Sequence, residues 1–269
     1  MGDFSFSQAW SRLGFEAHAE IFYRGGNSGR LSGEINSFLM SPQFFDSKKQ
    51  KIVFFALFLS LVSFSAFSTE PQKITILALG DSTTAGTPGF RSPVEAPPEG
   101  EGDPKSQYAY WMMLRNPEYD VLNRGVNGER TDQIFERFQK YTATEHPDAV
   151  IVLAGVNDLY QGHSAEEVEI ELQKIYALAM QNKMKIVACT ILPYNRATSA
   201  VLIQMVKVNR WIRGFAAKNG FLFCDTFKIV SDPERFGKLS GSPDGLHPDI
   251  AGYRKIGEAL AQTLEHQFN

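Results

Sequence analysis

Five short apolar runs alternate along the chain with segments whose apolar residues recur at helical spacing. The runs cover residues 73–79, 119–123, 149–155, 185–192 and 221–225. Continuous apolar runs of this length predict strands that are buried on both faces, as in a parallel sheet. The other segments predict helices over residues 107–116, 131–141, 164–182, 201–218 and 250–266. This alternation predicts βαβ units and a parallel sheet covered by helices on both faces.

Local signals indicate where several of these helices begin and end. Thr131 or Asp132 suits the N-cap of the second helix, and Ser164 suits that of the third because acidic residues follow it. Gly220 suits the position that ends the fourth helix in a left-handed conformation. Residues 85–106, rich in proline, glycine and glutamate, predict one long irregular segment. Such a segment in a compact domain is usually functional or mobile.

Composition narrows the function classes. Hydrophobic residues make up 43% and charged residues 21% of the chain, as in ordinary globular proteins. The formal net charge of −3 provides no basic field, so nucleic-acid binding is disfavoured. The two cysteines, Cys189 and Cys224, form no CxxC or Cys/His cluster, which argues against a structural zinc site. We interpret them as buried thiols on neighbouring strands, with a disulfide as the alternative if the domain is exported.

The N-terminal quarter has the pattern of an export signal preceded by an extension. Residues 1–39 show no sustained period and are expected to be a disordered or mis-called extension. Residues 40–68 contain the charged segment SKKQK, the apolar run 52–67 and a small-residue exit, which is the plan of a secretory signal. The apolar run is shorter than the ~20 residues of a spanning helix. An uncleaved signal that associates with the membrane through residues 52–67 is the alternative.

The small residues Ala66 and Ser68 predict cleavage of this signal before Thr69. Because the signal is internal, Met40 is expected to be the true start. A cytoplasmic tail ahead of a signal anchor is the other interpretation. Residues 69–269 then form one domain, which we expect to be exported to the periplasm or secreted.

Small and polar residues follow the first three predicted strands, and a further group precedes the last helix. Ligands of open parallel α/β sheets bind outside the carboxyl ends of the strands. We therefore expect these groups to meet at one edge of the sheet. They are residues 80–84, 123–128, 155–158 and 244–248.

The same groups contain the residue types of a serine nucleophile site. A serine hydroxyl such as that of Ser82 needs a base in contact with it, and His247 suits this role. Asp244, three residues before His247 across a glycine-containing turn, can hold the other ring nitrogen. The backbone N–H groups of Ser82 and Gly128 and the amide of Asn157 could donate to an oxyanion. Each group alone is also explained as a turn or a helix cap, but the order and placement of all four favour a catalytic site.

The segments GDSTT, NRGVNG, GVND and DGLHP resemble the four conserved blocks of the SGNH/GDSL hydrolases, in the family's order. The resemblance covers residues 74–264. It implies a flavodoxin-like three-layer α/β/α fold with a five-stranded parallel sheet of order 2-1-3-4-5. It also implies a triad of Ser82, Asp244 and His247, an oxyanion hole of Ser82, Gly128 and Asn157, and no metal or other cofactor.

The activity implied by this resemblance is a serine hydrolase that cleaves carboxylic esters, acyl or acetyl, through an acyl-enzyme intermediate. The substrate would be a small-molecule ester, a lipid or an acylated sugar. Its acyl or sugar pocket could be lined by residues after the long loop and after the fourth strand, although aromatic residues are more often part of the core; these are Tyr108, Tyr110, Trp111, Tyr194, Asn195 and Arg196. Two alternatives stay open: an acyltransferase with the same triad, and a non-catalytic or phosphate-binding flavodoxin-like module. The first block reads GDST rather than GDSL, which leaves the catalytic positions intact. The insertion at 85–106 is longer than in the smallest members and weakens any inference about substrate.

Overall fold

The computed structural model describes residues 73–268. Its main sheet has five parallel strands, which are β1 (Ile74–Gly80), β2 (Tyr119–Gly125), β3 (Ala149–Leu153), β4 (Lys185–Cys189) and β5 (Leu222–Cys224). Their order in the sheet is β2-β1-β3-β4-β5, which confirms the predicted order 2-1-3-4-5. Phe90–Arg91 and Glu101–Gly102 pair in a separate antiparallel sheet that the sequence pattern did not predict.

Helices cover both faces of the main sheet, so the fold has the three layers that were expected. The described helices are α1 (Ser82–Ala85), α2 (Tyr108–Arg115), α3 (Thr131–Thr144), α4 (Val156–Tyr160), α5 (Ala165–Gln181), α6 (Ser199–Asn219), α7 (Thr226–Val230) and α8 (Ile250–Leu264). Leu77 and Leu79 of β1 pack with α3, α5 and α6 on one face, while Ile76 and Ala78 pack with α2 and α8 on the other.

Two strands end earlier than their apolar runs suggest. β3 ends at Leu153 because Gly155, with φ of 116°, turns the chain into α4. β4 ends at Cys189 because the backbone of Ile191 bonds to a side chain instead of a neighbouring strand. The Asn209 amide accepts from Ile191 N at 2.7 Å and donates to Ile191 O at 2.9 Å. Both departures occur at the carboxyl edge of the sheet.

The N-cap prediction for α3 was wrong. Thr131 is the first helical residue and Arg130 occupies the N-cap position. The reason is a carboxylate supplied from another segment: Asp158 accepts from Thr131 N at 3.1 Å and from Thr131 Oγ1 at 2.5 Å. The predicted caps at the other two helices are confirmed. Ser164 caps α5 and Gly220, with φ of 71°, ends α6.

Residues 85–106 contain regular secondary structure, whereas the sequence pattern predicted one long irregular segment. Besides the short antiparallel pair, they contain a 3₁₀ turn at Pro104–Ser106. Ser92 Oγ donates to Gly125 O at 2.6 Å and so joins this segment to the end of β2. Cys189 and Cys224 lie opposite each other on β4 and β5, and both are free and buried.

The predicted extension at 1–39 and the predicted signal at 40–68 lie outside the described residues. Within residues 73–268, no helix has both the length and the apolar character required to cross a membrane.

Candidate active site

Ser82 lies where β1 turns into a short helix. It is the first residue of α1, directly after Asp81, whose carboxylate accepts from Thr83 N at 3.0 Å. A side chain at Gly80 would come within 2.2 Å of Thr84 Oγ1 and 2.3 Å of Leu153 O, so only glycine allows this tight turn. The sequence Gly-Asp-Ser thus places the Ser82 side chain at the carboxyl end of β1, and Ser82 is buried there.

Ser82, His247 and Asp244 form one chain of hydrogen-bonding contacts. Ser82 Oγ is 2.8 Å from His247 Nε2, and His247 Nδ1 is 2.6 Å from Asp244 Oδ2. The three residues are the ones that sequence reasoning selected, and the fold brings Ser82 against a loop 165 positions along the chain. In this arrangement Nδ1 donates to Asp244, so Nε2 is free to accept the Ser82 proton.

Asp244 is held as a carboxylate. Its partial burial disfavours the charged form, but bonds from the His247 ring and from the backbone N–H groups of His247 and Leu246 outweigh that effect. Together they lower the pKa of Asp244 to about 2. Asp244 Oδ1 accepts both backbone N–H groups at 2.8 Å, while Oδ2 faces the ring. The carboxylate therefore shapes the turn and orients the imidazole at the same time.

Two further residues hold this loop, and sequence reasoning missed the role of each. Ser242 Oγ donates to His247 O at 2.6 Å and accepts from Gly245 N at 2.8 Å. Asn195 N donates to Gly245 O at 2.7 Å, and its side-chain oxygen accepts from Leu239 N. Asn195 was expected to line a substrate pocket, but these bonds make it a brace of the His247 loop. A serine two residues before Asp244 was a visible signal for the first contact.

The expected oxyanion donors are partly brought together. Asn157, in α4, lines the same cavity as Ser82 and His247, whereas Gly128 is not among the residues that line it. Asn157 Nδ2 donates to Glu129 O at 2.8 Å, which ties Asn157 to the residue directly after Gly128. An amide nitrogen carries two hydrogens, so one remains for a ligand. Gly128 has φ of 76° with open space where a side chain would project.

The loop that carries Gly128 is fastened from two sides. On one side, Glu95 of the 85–106 segment accepts from Asn127 N at 3.0 Å and from Asn127 Nδ2 at 2.8 Å. On the other, the Arg137 guanidinium pairs with Glu129 and also donates to Gly80 O at 3.2 Å. Arg137 therefore connects the Gly128 loop to the strand end that precedes Ser82. Its position in the middle of α3 gave no sequence signal for this role.

Asp81, directly before Ser82, is an acid with a strongly raised pKa. Burial, only partly offset by the hydrogen bond from Thr83 N, raises the pKa of Asp81 from 3.8 to about 7. The nearby charge of Asp158 acts in the same direction as burial. Asp81 and Asp158 are both buried, and each accepts hydrogen bonds that define a helix start. Their roles are therefore structural.

A small cavity opens at Ser82 Oγ. Beside Ser82 itself, the polar part of its wall is supplied by Asp81, Thr83, Asn157 and His247. The ends of β3 and β4 and the His247 loop supply the apolar part, which includes Leu153, Ile191, Leu192 and Leu246. Within residues 73–268, no group of three or more His, Cys, Asp or Glu side chains could hold a metal ion.

The fold and the contacts at Ser82 define a parallel α/β protein with a serine–histidine–aspartate arrangement at the carboxyl edge of its sheet. Residues 78–255 match the model of the GDSL-like Lipase/Acylhydrolase family, and the chain belongs to this family. The resemblance of the four sequence blocks is thereby confirmed. Family membership supports ester hydrolysis as the class of reaction and small-molecule esters as the class of substrate.

Solved structures share the fold. A member of the lipolytic protein G-D-S-L family from Veillonella parvula aligns with a TM-score of 0.61 at 17% identity, covering 71% of this chain and 98% of that one. A variant of an acetyl-xylooligosaccharide esterase from Geobacillus Stearmophilus aligns with a TM-score of 0.59 at 19% identity, covering 74% of this chain and 98% of that one. At these identities the likeness concerns the fold alone.

A curated relative matches over a shorter stretch. An N-acylneuraminate cytidylyltransferase from Streptococcus agalactiae is 31% identical over 106 residues, which are 39% of this chain. The match spans 25% of that relative's length. The name of the whole relative therefore does not describe the activity of this chain.

Proposed function

We propose that the protein is a serine esterase in which Ser82 is the nucleophile, His247 the general base and Asp244 the residue that orients the base. The observation that carries this proposal is the unbroken contact chain of 2.8 Å from Ser82 Oγ to His247 Nε2 and 2.6 Å from His247 Nδ1 to Asp244 Oδ2. Each link has the length of a hydrogen bond.

In the proposed first step, Ser82 Oγ attacks the ester carbonyl carbon while His247 Nε2 removes the hydroxyl proton. The imidazolium that forms is stabilised by the Asp244 carboxylate, which the lowered pKa keeps charged at neutral pH. The carbonyl oxygen becomes an oxyanion facing the donors proposed for it, which are the N–H groups of Ser82 and Gly128 and the free amide hydrogen of Asn157.

Collapse of this intermediate breaks the bond to the alcohol, which leaves with the proton held by His247. The acyl group is then esterified to Ser82 Oγ. In the second half, His247 removes a proton from water, the hydroxide adds to the acyl carbon, and the acid departs as the proton returns to Ser82. The net reaction converts one ester and one water into one acid and one alcohol.

Release of p-nitrophenolate from p-nitrophenyl acetate tests this proposal. Ser82→Ala should lower kcat by at least about 10³-fold while the protein folds normally. Ser231→Ala is the matched control, because Ser231 Oγ donates to Phe227 O at the end of α7, away from the cavity. Equal activity of Ser82→Ala and wild type would refute the proposal. Transfer of the acetyl group to an added alcohol in preference to water would assign the triad to an acyltransferase.

A further inference from the structure

The cavity at Ser82 is small for an enzyme that would accept long acyl chains. Its volume is about 20 Å³. On this measure a single water molecule requires roughly 10–15 Å³, so the cavity admits one group of about the size of a methyl. The inner part of the cavity therefore has no room for an acyl chain of several carbons.

The closed end of the cavity belongs to the core of the domain. Leu153 and Ile191, at the ends of neighbouring strands, are 3% and 1% exposed, and they belong to the two apolar layers on opposite faces of the sheet. Leu192 is buried beside them. Deepening the cavity would therefore require repacking of the core, and overpacked cores are destabilised.

Ile191 has no space into which it could retract. A side-chain carbon placed at Gly155 would lie 2.8 Å from Ile191 Cδ1, which shows that Ile191 already fills the position beside Gly155. The backbone of Ile191 is fixed as well, since the Asn209 amide bonds to both its N–H and its carbonyl oxygen. The wall is held by packing on one side and by hydrogen bonds on the other.

We propose that the enzyme is selective for acetyl esters, with the acetyl methyl group seated in this cavity against Ile191. The inference rests on the proposed function, since it places the acyl carbon on Ser82 Oγ. The acetyl carbon bonds to Ser82 Oγ as the alcohol leaves with the proton from His247, and water then releases acetate. The larger part of the substrate is the alcohol, which extends away from the closed wall toward solvent.

The test compares kcat/KM for p-nitrophenyl acetate, butyrate and octanoate with the full chain. We expect a fall of at least about tenfold from acetate to butyrate, because one methylene in a closed pocket changes the rate by about 10–200-fold. Octanoate should be slower still. If wild type hydrolyses octanoate with the same kcat/KM as acetate, and Ser82→Ala is inactive on both, the acetyl selectivity is refuted but the serine mechanism is not. Failure of wild type to hydrolyse any of the three esters would overturn the proposed function and the selectivity with it.

A substitution of Ile191 in the cavity wall distinguishes an effect of pocket size from a general effect on activity. Ile191→Ala should raise the butyrate-to-acetate ratio of kcat/KM at least about tenfold. Ile175→Ala is the matched control, because Ile175 is equally buried but does not line the cavity, and its ratio should equal that of wild type. If Ile191→Ala does not fold, Ile191→Val should shift the ratio in the same direction by a smaller factor. A folded Ile191 variant with an unchanged ratio would refute the assignment of this wall.

Discussion

Replacing Asp244 by asparagine isolates the orienting role of this carboxylate. Asp244 Oδ1 accepts from the backbone N–H groups of Leu246 and His247, and an amide oxygen can accept the same two bonds. The turn should therefore keep its shape. The new amide nitrogen would occupy the place of Oδ2, 2.6 Å from His247 Nδ1, where it can only donate.

The expected loss of activity follows from the change that this substitution causes in the tautomer of His247. Facing a donor, Nδ1 must become the acceptor, so the ring proton moves to Nε2. That nitrogen is 2.8 Å from Ser82 Oγ and, once protonated, cannot accept the hydroxyl proton. The corresponding change in a serine protease lowers kcat about 10⁴-fold, equal to about 5.5 kcal/mol of barrier. We expect Asp244→Asn to lower kcat by about 10³–10⁴-fold.

The assay is p-nitrophenyl acetate hydrolysis, with the melting temperature measured on the same samples. Asp249→Asn is the matched control, because Asp249 accepts from Gly252 N at 2.8 Å as the N-cap of α8. Asparagine and aspartate cap helices about equally well, so this variant should retain both its activity and its melting temperature. If Asp244→Asn keeps more than about a tenth of wild-type kcat, Asp244 does not fix the tautomer of His247.

Three further predictions concern the expected oxyanion donor Asn157, the buried acid before Ser82 and the N-terminal signal. Asn157→Ala should lower kcat by about 10²–10³-fold with little change in KM, since an oxyanion donor acts mainly in the transition state. A rise in KM alone would show that Asn157 has a structural role. The control is Asp158→Ala, which should lower the melting temperature by uncapping α3 while keeping most of kcat. Asp81→Asn should flatten the pH dependence of the free energy of unfolding. Because the pKa of Asp81 is about 7 in the folded state and 3.8 ordinarily, the folded state binds a proton that the unfolded state has lost between these values. The stability that the protonated Asp81 provides is therefore lost as the pH rises from about 4 to 7. Thermal unfolding at pH 5 and pH 8 measures this, and an unchanged pH slope in the variant would contradict it. Expressed from Met40 in a bacterium, the exported form should begin near Thr69; recovery of residues 52–67 in that form by N-terminal sequencing would indicate an anchor.

The main sheet could be predicted because its three inner strands, β1, β3 and β4, are largely buried on both faces and are therefore encoded as continuous apolar runs. The short pair at Phe90 and Glu101 could not, since two-residue strands carry no periodicity. The ends of β3 and β4 were placed too late because apolar residues continue past them. The backbone of Ile191 bonds to Asn209 of α6 rather than to a neighbouring strand. This contact joins segments that are distant in sequence, so the local sequence pattern cannot predict it.

The three residues of the contact chain could be selected because each lies at a strand end or in a loop beside it, where polar residues have few structural reasons to cluster. Arg137 could not be selected in this way. It lies in a helix whose buried residues include Ile134 and Phe138, and a charged neighbour of such a stripe usually faces solvent. Its bond to Gly80 O joins residues 57 positions apart and depends on how α3 packs on the sheet.

Covalent capture of the nucleophile tests the central claim most directly. A fluorophosphonate probe reacts with a serine that an adjacent base activates, and mass spectrometry of the digested protein locates the modified residue. The contact between Ser82 Oγ and His247 Nε2 predicts one labelled site, Ser82, and loss of labelling in Ser82→Ala and in His247→Ala. A label on another serine, or labelling that persists in folded Ser82→Ala, would contradict the assignment of Ser82 as the nucleophile.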